Sequence, residues 1–167
     1  MDGARAVSLL NRVLHGTVNS VIQYLDIARP YVPPVCEGDV GELQRLRDEQ
    51  AATAGKLTAL IAELDGVPKV DPFDYWNLDL NYLDLRYLAR FAAEHEDKVI
   101  AEIETHLDSV RDDARVYRLL MAIAAEKKAH KDVLLKVAGK PDPEPDPERK
   151  AKAQPLDCQH APRPVRE

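Results

Sequence analysis

The 167-residue sequence predicts an all-α protein: an antiparallel bundle of four long helices, with a long crossover between the second and third, and an unstructured C-terminal tail. Three observations lead there. Apolar residues recur at three-and-four spacing over four long stretches, strand-like alternation is absent, and proline-bearing segments separate the first three stretches. Alanine, leucine, glutamate, lysine and arginine, all strong helix formers, dominate the middle of the chain. The domain division that follows is a bundle over residues 1–139 and a tail over 140–167.

Helix A is expected from about Ala4 to Ala28, because Leu10, Leu14, Thr17, Val21 and Tyr24 build one face, and Arg29-Pro30 ends it. The segment from Tyr31 to Gly38 carries further prolines and reads as a connector. Asp39 followed by Glu42 has the spacing of a capping box that opens helix B, whose inner face holds Leu43, Leu46, Gln50, Thr53, Leu57, Ile61 and Leu64. Gly66 and Pro68 stop it.

The stretch from Val67 to about Asn77 is rich in proline, aspartate and aromatics. A helix of about 25 residues spans roughly 38 Å, a distance that about 12 to 15 extended residues just cover. Helices B and C are therefore expected to lie parallel, joined by a crossover that Phe73, Tyr75 and Trp76 pin to the bundle side. Helix C follows from about Asn81 to Leu107. Ser109 and Asp112, at cap spacing, open helix D, which runs to Ala138. From Pro141 onward alternating proline and acid leave neither an apolar face nor enough backbone donors for a helix.

Composition excludes several function classes. A formal charge of −6 with mixed signs argues against a nucleic-acid surface. No uncharged run is long enough for a membrane span, and the N-terminus lacks a signal-peptide pattern. Cys36 and Cys158 form neither a Cys-x-x-Cys pair nor a disulfide framework. A cytoplasmic protein is expected.

Leu10-Asn-Arg-Val-Leu-His-Gly-Thr-Val-Asn-Ser-Val-Ile-Gln-Tyr24, and Leu64-Asp-Gly-Val-Pro68 at the end of helix B, resemble the matching stretches of bacterioferritins. Met121-Ala-Ile-Ala-Ala-Glu-Lys-Lys-Ala-His130 is similar to the ligand helix of rubrerythrins and bacterioferritins. The resemblance covers about Leu9 to Leu135 and implies a ferritin-like bundle around two metal ions, held by one Glu from each of two helices and a Glu-x-x-His pair from each of the others. Carried over onto this chain, the helix A glutamate falls on Thr17, the helix B pair on Gln50 and Thr53, and the helix D pair on Lys127 and His130. Thr17, Gln50, Thr53 and Lys127 are thus degenerate ligand positions. No catalytic residue is assigned.

The helical wheel is independent of that mapping and places Gln50, Thr53, Lys127 and His130 inward, with Glu49 and Glu126 at the margins. Neutral side chains and one cation relieve the repulsion that crowded carboxylates would otherwise suffer in an apolar core. Lys127 would need a carboxylate partner, and Glu102 or Glu126 are the candidates. Lys127 with Lys128 and Lys131 also reads as a basic surface stripe.

Helix C carries His95 and His106 near its apolar face, with Glu102 at the border, while Glu94 and Asp97 point elsewhere. A nonstandard metal centre could then draw on Glu126, His130, Glu102 and His95. His106 is a further candidate, although it lies about three turns from His95. Cys158 and His160 could also touch a metal.

Two main readings remain open, beside a third, a ligand-binding bundle, that rests only on the polar interior. In one, the bundle holds no cofactor and acts as a structural or interaction module, a homodimer with a tail free to engage another protein. In the other, it keeps an atypical iron or manganese site for ferroxidase or peroxide chemistry.

Overall fold

The computed structural model describes residues 3–71 and 82–141. The crossover aromatics Phe73, Tyr75 and Trp76, and the tail with Cys158 and His160, lie outside these residues. The helices are α1 (Gly3–Val18), α2 (Val21–Ala28), α3 (Val40–Glu63), α4 (Leu85–His106) and α5 (Ala114–Ala138). Helix A is therefore two pieces, α1 and α2, and not the single helix expected. The break is local: Ser20 takes an extended conformation and its hydroxyl accepts a hydrogen bond from Ile22 N, capping α2.

Two apolar clusters establish the topology. One gathers Leu10, Leu14, Leu57, Ile61, Val99, Ile103, Leu120 and Ile123; the other gathers Ile22, Leu43, Leu46, Leu85, Leu88, Leu134 and Val137. Read in chain order, α1 and α2 run from the first cluster to the second, α3 and α4 both run back from second to first, and α5 returns. Helices α3 and α4 are therefore parallel, as a ferritin-like connection requires.

The two described ends of the crossover lie against helix A. Asn11 grips its start, donating to Val67 O at 3.1 Å and accepting from Lys69 N at 2.7 Å. Asn19 donates to Asp71 O at 3.3 Å, and Tyr82 N reaches Ala28 O at 3.0 Å near the other end. The turn that launches it needs Gly66, where a Cβ would stand 2.7 Å from Val7 Cγ1. Asp65 takes the left-handed position beside it, with φ 55°.

Helix B opens after Asp39 as expected, but its cap, and the starts of helices C and D, differ from expectation. Asp39 makes no side-chain cap; a 3-10 turn over Pro34–Asp39 leads into α3, and the Asp39 carboxylate pairs with Lys140 at 2.6 Å. Helix C begins at Leu85, where Asp84 accepts from Arg86 N at 2.8 Å, after Tyr31 has bridged to Asp84. Helix D begins at Ala114, capped by Asp113 and not by Ser109, because a 3-10 turn over Leu107–Val110 delays it. For α3 a tertiary contact, and for α5 an extra tight turn, displaces the expected cap.

Candidate functional site at the bundle centre

Between the two apolar clusters lies a polar layer, to which each long helix contributes at one level. Thr17 follows Leu14, Gln50 and Thr53 sit between Leu46 and Leu57, Glu96 precedes Val99, and Lys127 and His130 lie between Ala124 and Leu134. All of these polar residues are buried. Such a layer is costly unless its groups are paired, so the pairing defines the site.

At its heart Lys127 Nζ donates to Glu96 Oε2 at 2.9 Å, and neither side chain has any solvent exposure. Gln50 Nε2 donates to the other oxygen, Glu96 Oε1, at 2.8 Å. One carboxylate therefore holds an ammonium from α5 and an amide from α3. Thr17 is satisfied within its own helix, its hydroxyl donating to Val13 O at 2.8 Å.

A second pair of contacts closes the α3–α5 seam. The Thr53 hydroxyl lies 2.9 Å from both oxygens of Glu126, and His130 Nε2 lies 2.9 Å from Glu49 Oε2. The hydrogen bond from His130, and after burial's opposing effect the one from Arg45, holds the Glu49 carboxyl below the usual carboxylate range. Among the described residues, Gln50 Oε1 and His130 Nδ1 are buried without a hydrogen-bond partner.

The candidate ligands divide between two sides of the bundle. Glu126 and His130 face α3, as described. His95 and Glu102 lie on the α1–α4 side, where both line a cleft of about 790 Å³. His95 Nε2 donates to Gly16 O at 2.7 Å, and burial is the main reason its titration is pushed down. Glu102 pairs with Arg12 and accompanies His106 at 3.5 Å. Among the described residues no three His, Cys, Asp or Glu side chains are grouped so that they could hold a metal ion.

Two expectations about Lys127 are corrected. Its partner is Glu96, and neither Glu102 nor Glu126, because Glu102 is drawn to α1 and Glu126 to Thr53. Nor is it part of a surface stripe: Lys127 is wholly buried, while Lys128 and Lys131 reach outward to Glu104 and Asp97. Glu96 was the residue sequence reasoning missed. Its signal was present, four residues after Ala92 and three before Val99 on the same apolar row.

The family model of the ferritin-like domain matches residues 7–141. The chain belongs to the ferritin-like domain family. A ferritin-like, diiron-carboxylate protein from Bacillus anthracis str. Ames shares 18% identity, with 83% of this chain and 98% of that one covered and a TM-score of 0.68. The bacterioferritin of Desulfovibrio desulfuricans, described with a diiron site in different catalytic states, shares 19% identity over 86% of this chain and 92% of its own, at a TM-score of 0.60. A search of curated proteins gives no match. At these identities the likeness to the solved structures establishes the ferritin-like fold and nothing finer.

Membership gives the polar layer a frame. Di-metal members take a Glu from each of two helices and a Glu-x-x-His pair from each of the others, all pointing inward. In this ferritin-like chain the inward positions carry Thr17, Gln50 with Thr53, Glu96, and Lys127 with His130. Among the described residues no helix is long and apolar enough to cross a membrane.

Proposed function

We propose that this ferritin-like bundle has exchanged its di-metal centre for an internal ion pair and serves as a structural or interaction module, without ferroxidase chemistry. The observation that carries the reading is the wholly buried contact of Lys127 with Glu96 at 2.9 Å. Two iron ions need several anionic or imidazole donors around shared positions. The layer instead offers hydroxyl groups at Thr17 and Thr53, an amide at Gln50 and an ammonium at Lys127, while Glu96 is committed to that ammonium and the His130 imidazole to Glu49. This donor set does not fit a pair of iron ions. Lys127 instead sets a positive charge against the Glu96 carboxylate in an otherwise apolar core.

The module is proposed to be a cytoplasmic homodimer whose C-terminal tail engages a protein partner. The buried free thiol of Cys36, raised by desolvation, is in keeping with a reducing compartment. Elemental analysis of freshly purified protein tests the main reading and should find no stoichiometric iron. About two irons per chain with an oxidised di-iron absorption band would sink it.

One observation favours a second reading. Glu126 and His130 both face α3, Glu126 against Thr53 and His130 against Glu49, so an atypical iron or manganese site for ferroxidase or peroxide chemistry would have to draw these two pairs together. Oxidase activity that persisted with unchanged metal content in a His130→Ala variant would dispose of that alternative.

A further inference from the structure

The same three residues that exclude iron are also the components of an amide-exchange reaction. Lys127 brings an amine, Gln50 a carboxamide and Glu96 a carboxylate, and Glu96 touches both others, one on each oxygen, at 2.9 and 2.8 Å. All three are buried to 0% exposure, so water does not compete with the amine for the amide carbon. The Gln50 carbonyl oxygen has no hydrogen-bond partner among the described residues, which leaves the amide held through its nitrogen alone.

We propose that Lys127 and Gln50 join in an intramolecular isopeptide bond, with Glu96 as the proton carrier, cross-linking α5 to α3 through the bundle centre. Glu96 first takes a proton from the Lys127 ammonium along their hydrogen bond, leaving a neutral amine and a carboxylic acid. A lysine in a desolvated site is a nucleophile in this form. The Nζ lone pair forms a bond to Gln50 Cδ, giving a tetrahedral adduct. The Cδ–Nε2 bond then breaks with its electron pair going to Nε2. Protons relayed by Glu96, which lies at hydrogen-bond distance from Nε2, complete an ammonia molecule. The amine, the amide and the acid become a secondary amide, the acid and free ammonia, so nothing is oxidised or reduced and no co-reactant is needed. Holding amine and amide on the two oxygens of one carboxylate keeps the reactants together, which lowers the entropic part of the barrier to exchange.

The inference rests on the reading that Lys127 and Glu96 occupy the centre in place of metal, but its test is separate. Intact-mass spectrometry of the full chain should show a protein lighter than its sequence mass by one ammonia. Tryptic digestion should join the peptide Asp48–Lys56 to Leu119–Lys128, with cleavage lost after Lys127. A Gln50→Met variant, which removes the carbonyl carbon and leaves the ion pair, should regain the full expected mass and lose the joined peptide. The full sequence mass in the unaltered protein, an ammonia loss mapped to an asparagine instead, or a loss that survives Gln50→Met would each overturn the proposal. Iron in the purified protein would sink the functional reading, whatever the mass shows.

Discussion

Glu96 on α4 and Lys127 on α5 meet at 2.9 Å in the middle of the bundle, with no solvent on either side chain and with Gln50 on the second carboxylate oxygen. The arrangement binds three helices at one point. It also couples Glu96 and Lys127, since removing either one strands the other's charge in the core.

That coupling predicts strong non-additivity. In a Gln50→Met background, where no cross-link can form and the ion pair stands alone, Glu96→Leu or Lys127→Met should each cost about 3–5 kcal/mol, because each leaves an uncompensated buried charge. The double variant should be less destabilised than either single, since an apolar pair of similar volume avoids desolvation altogether. Urea unfolding of the variants measures this, and simple addition of the two single costs would contradict the coupling.

The approach of α1 to α4 makes a second prediction. A Cβ on Gly16 would stand 2.7 Å from Val99 Cγ2, so Gly16→Ala must move Val99 or separate the helices. The expected cost is about 1–3 kcal/mol despite the better helix propensity of alanine. Combining it with Val99→Ala should recover part of the loss, which thermal denaturation would detect.

His95 should titrate below the ordinary histidine range, chiefly because burial disfavours its charged form, although the bond to Gly16 O and the nearby Glu96 oppose this. A histidine whose folded value lies below its unfolded value stabilises fully at pH above the unfolded value. That contribution is lost as pH falls through the folded value. NMR titration of the ring checks the direction, and a midpoint above that of a free histidine would refute it.

Glu49 gives the acid side of the same argument. Its carboxyl is depressed first by the hydrogen bond from His130, so its stabilisation is present above the unfolded carboxylate value and fades as pH falls through the lower, folded one. His130→Ala should move the Glu49 titration upward toward the usual range. Carboxyl NMR shifts in the two proteins would show it, and an unmoved midpoint would mean that Arg45 alone holds the anion.

Long-range order was legible from residue pattern because helix faces and proline breaks are local facts. The three-and-four spacing of Leu10, Leu14, Thr17, Val21 and Tyr24 marks the inner face of helix A. It does not mark the break at Ser20, where a hydroxyl cap competes with continuation of the helix. The parallel course of α3 and α4 followed from the length of the segment between them. The expected caps of α3 and α5 failed because Asp39 pairs with Lys140 and Ser109 bonds back to His106 O, partners that sequence spacing does not record.

By itself the sequence placed Thr17, Gln50, Thr53 and His130 on rows of apolar residues, and all are buried, while it left Lys127 between the core and a surface stripe and passed over Glu96. Only the tertiary structure decided who pairs with whom. His95 and Glu96 are adjacent on α4, about 100° apart, and both lie near its apolar row. The close approach of Gly16 to Val99 goes with a packing of α4 that sends His95 to the α1 backbone and Glu96 to Lys127. A helix's rotation about its own axis is set by the neighbours it packs against, and its own sequence leaves that angle open.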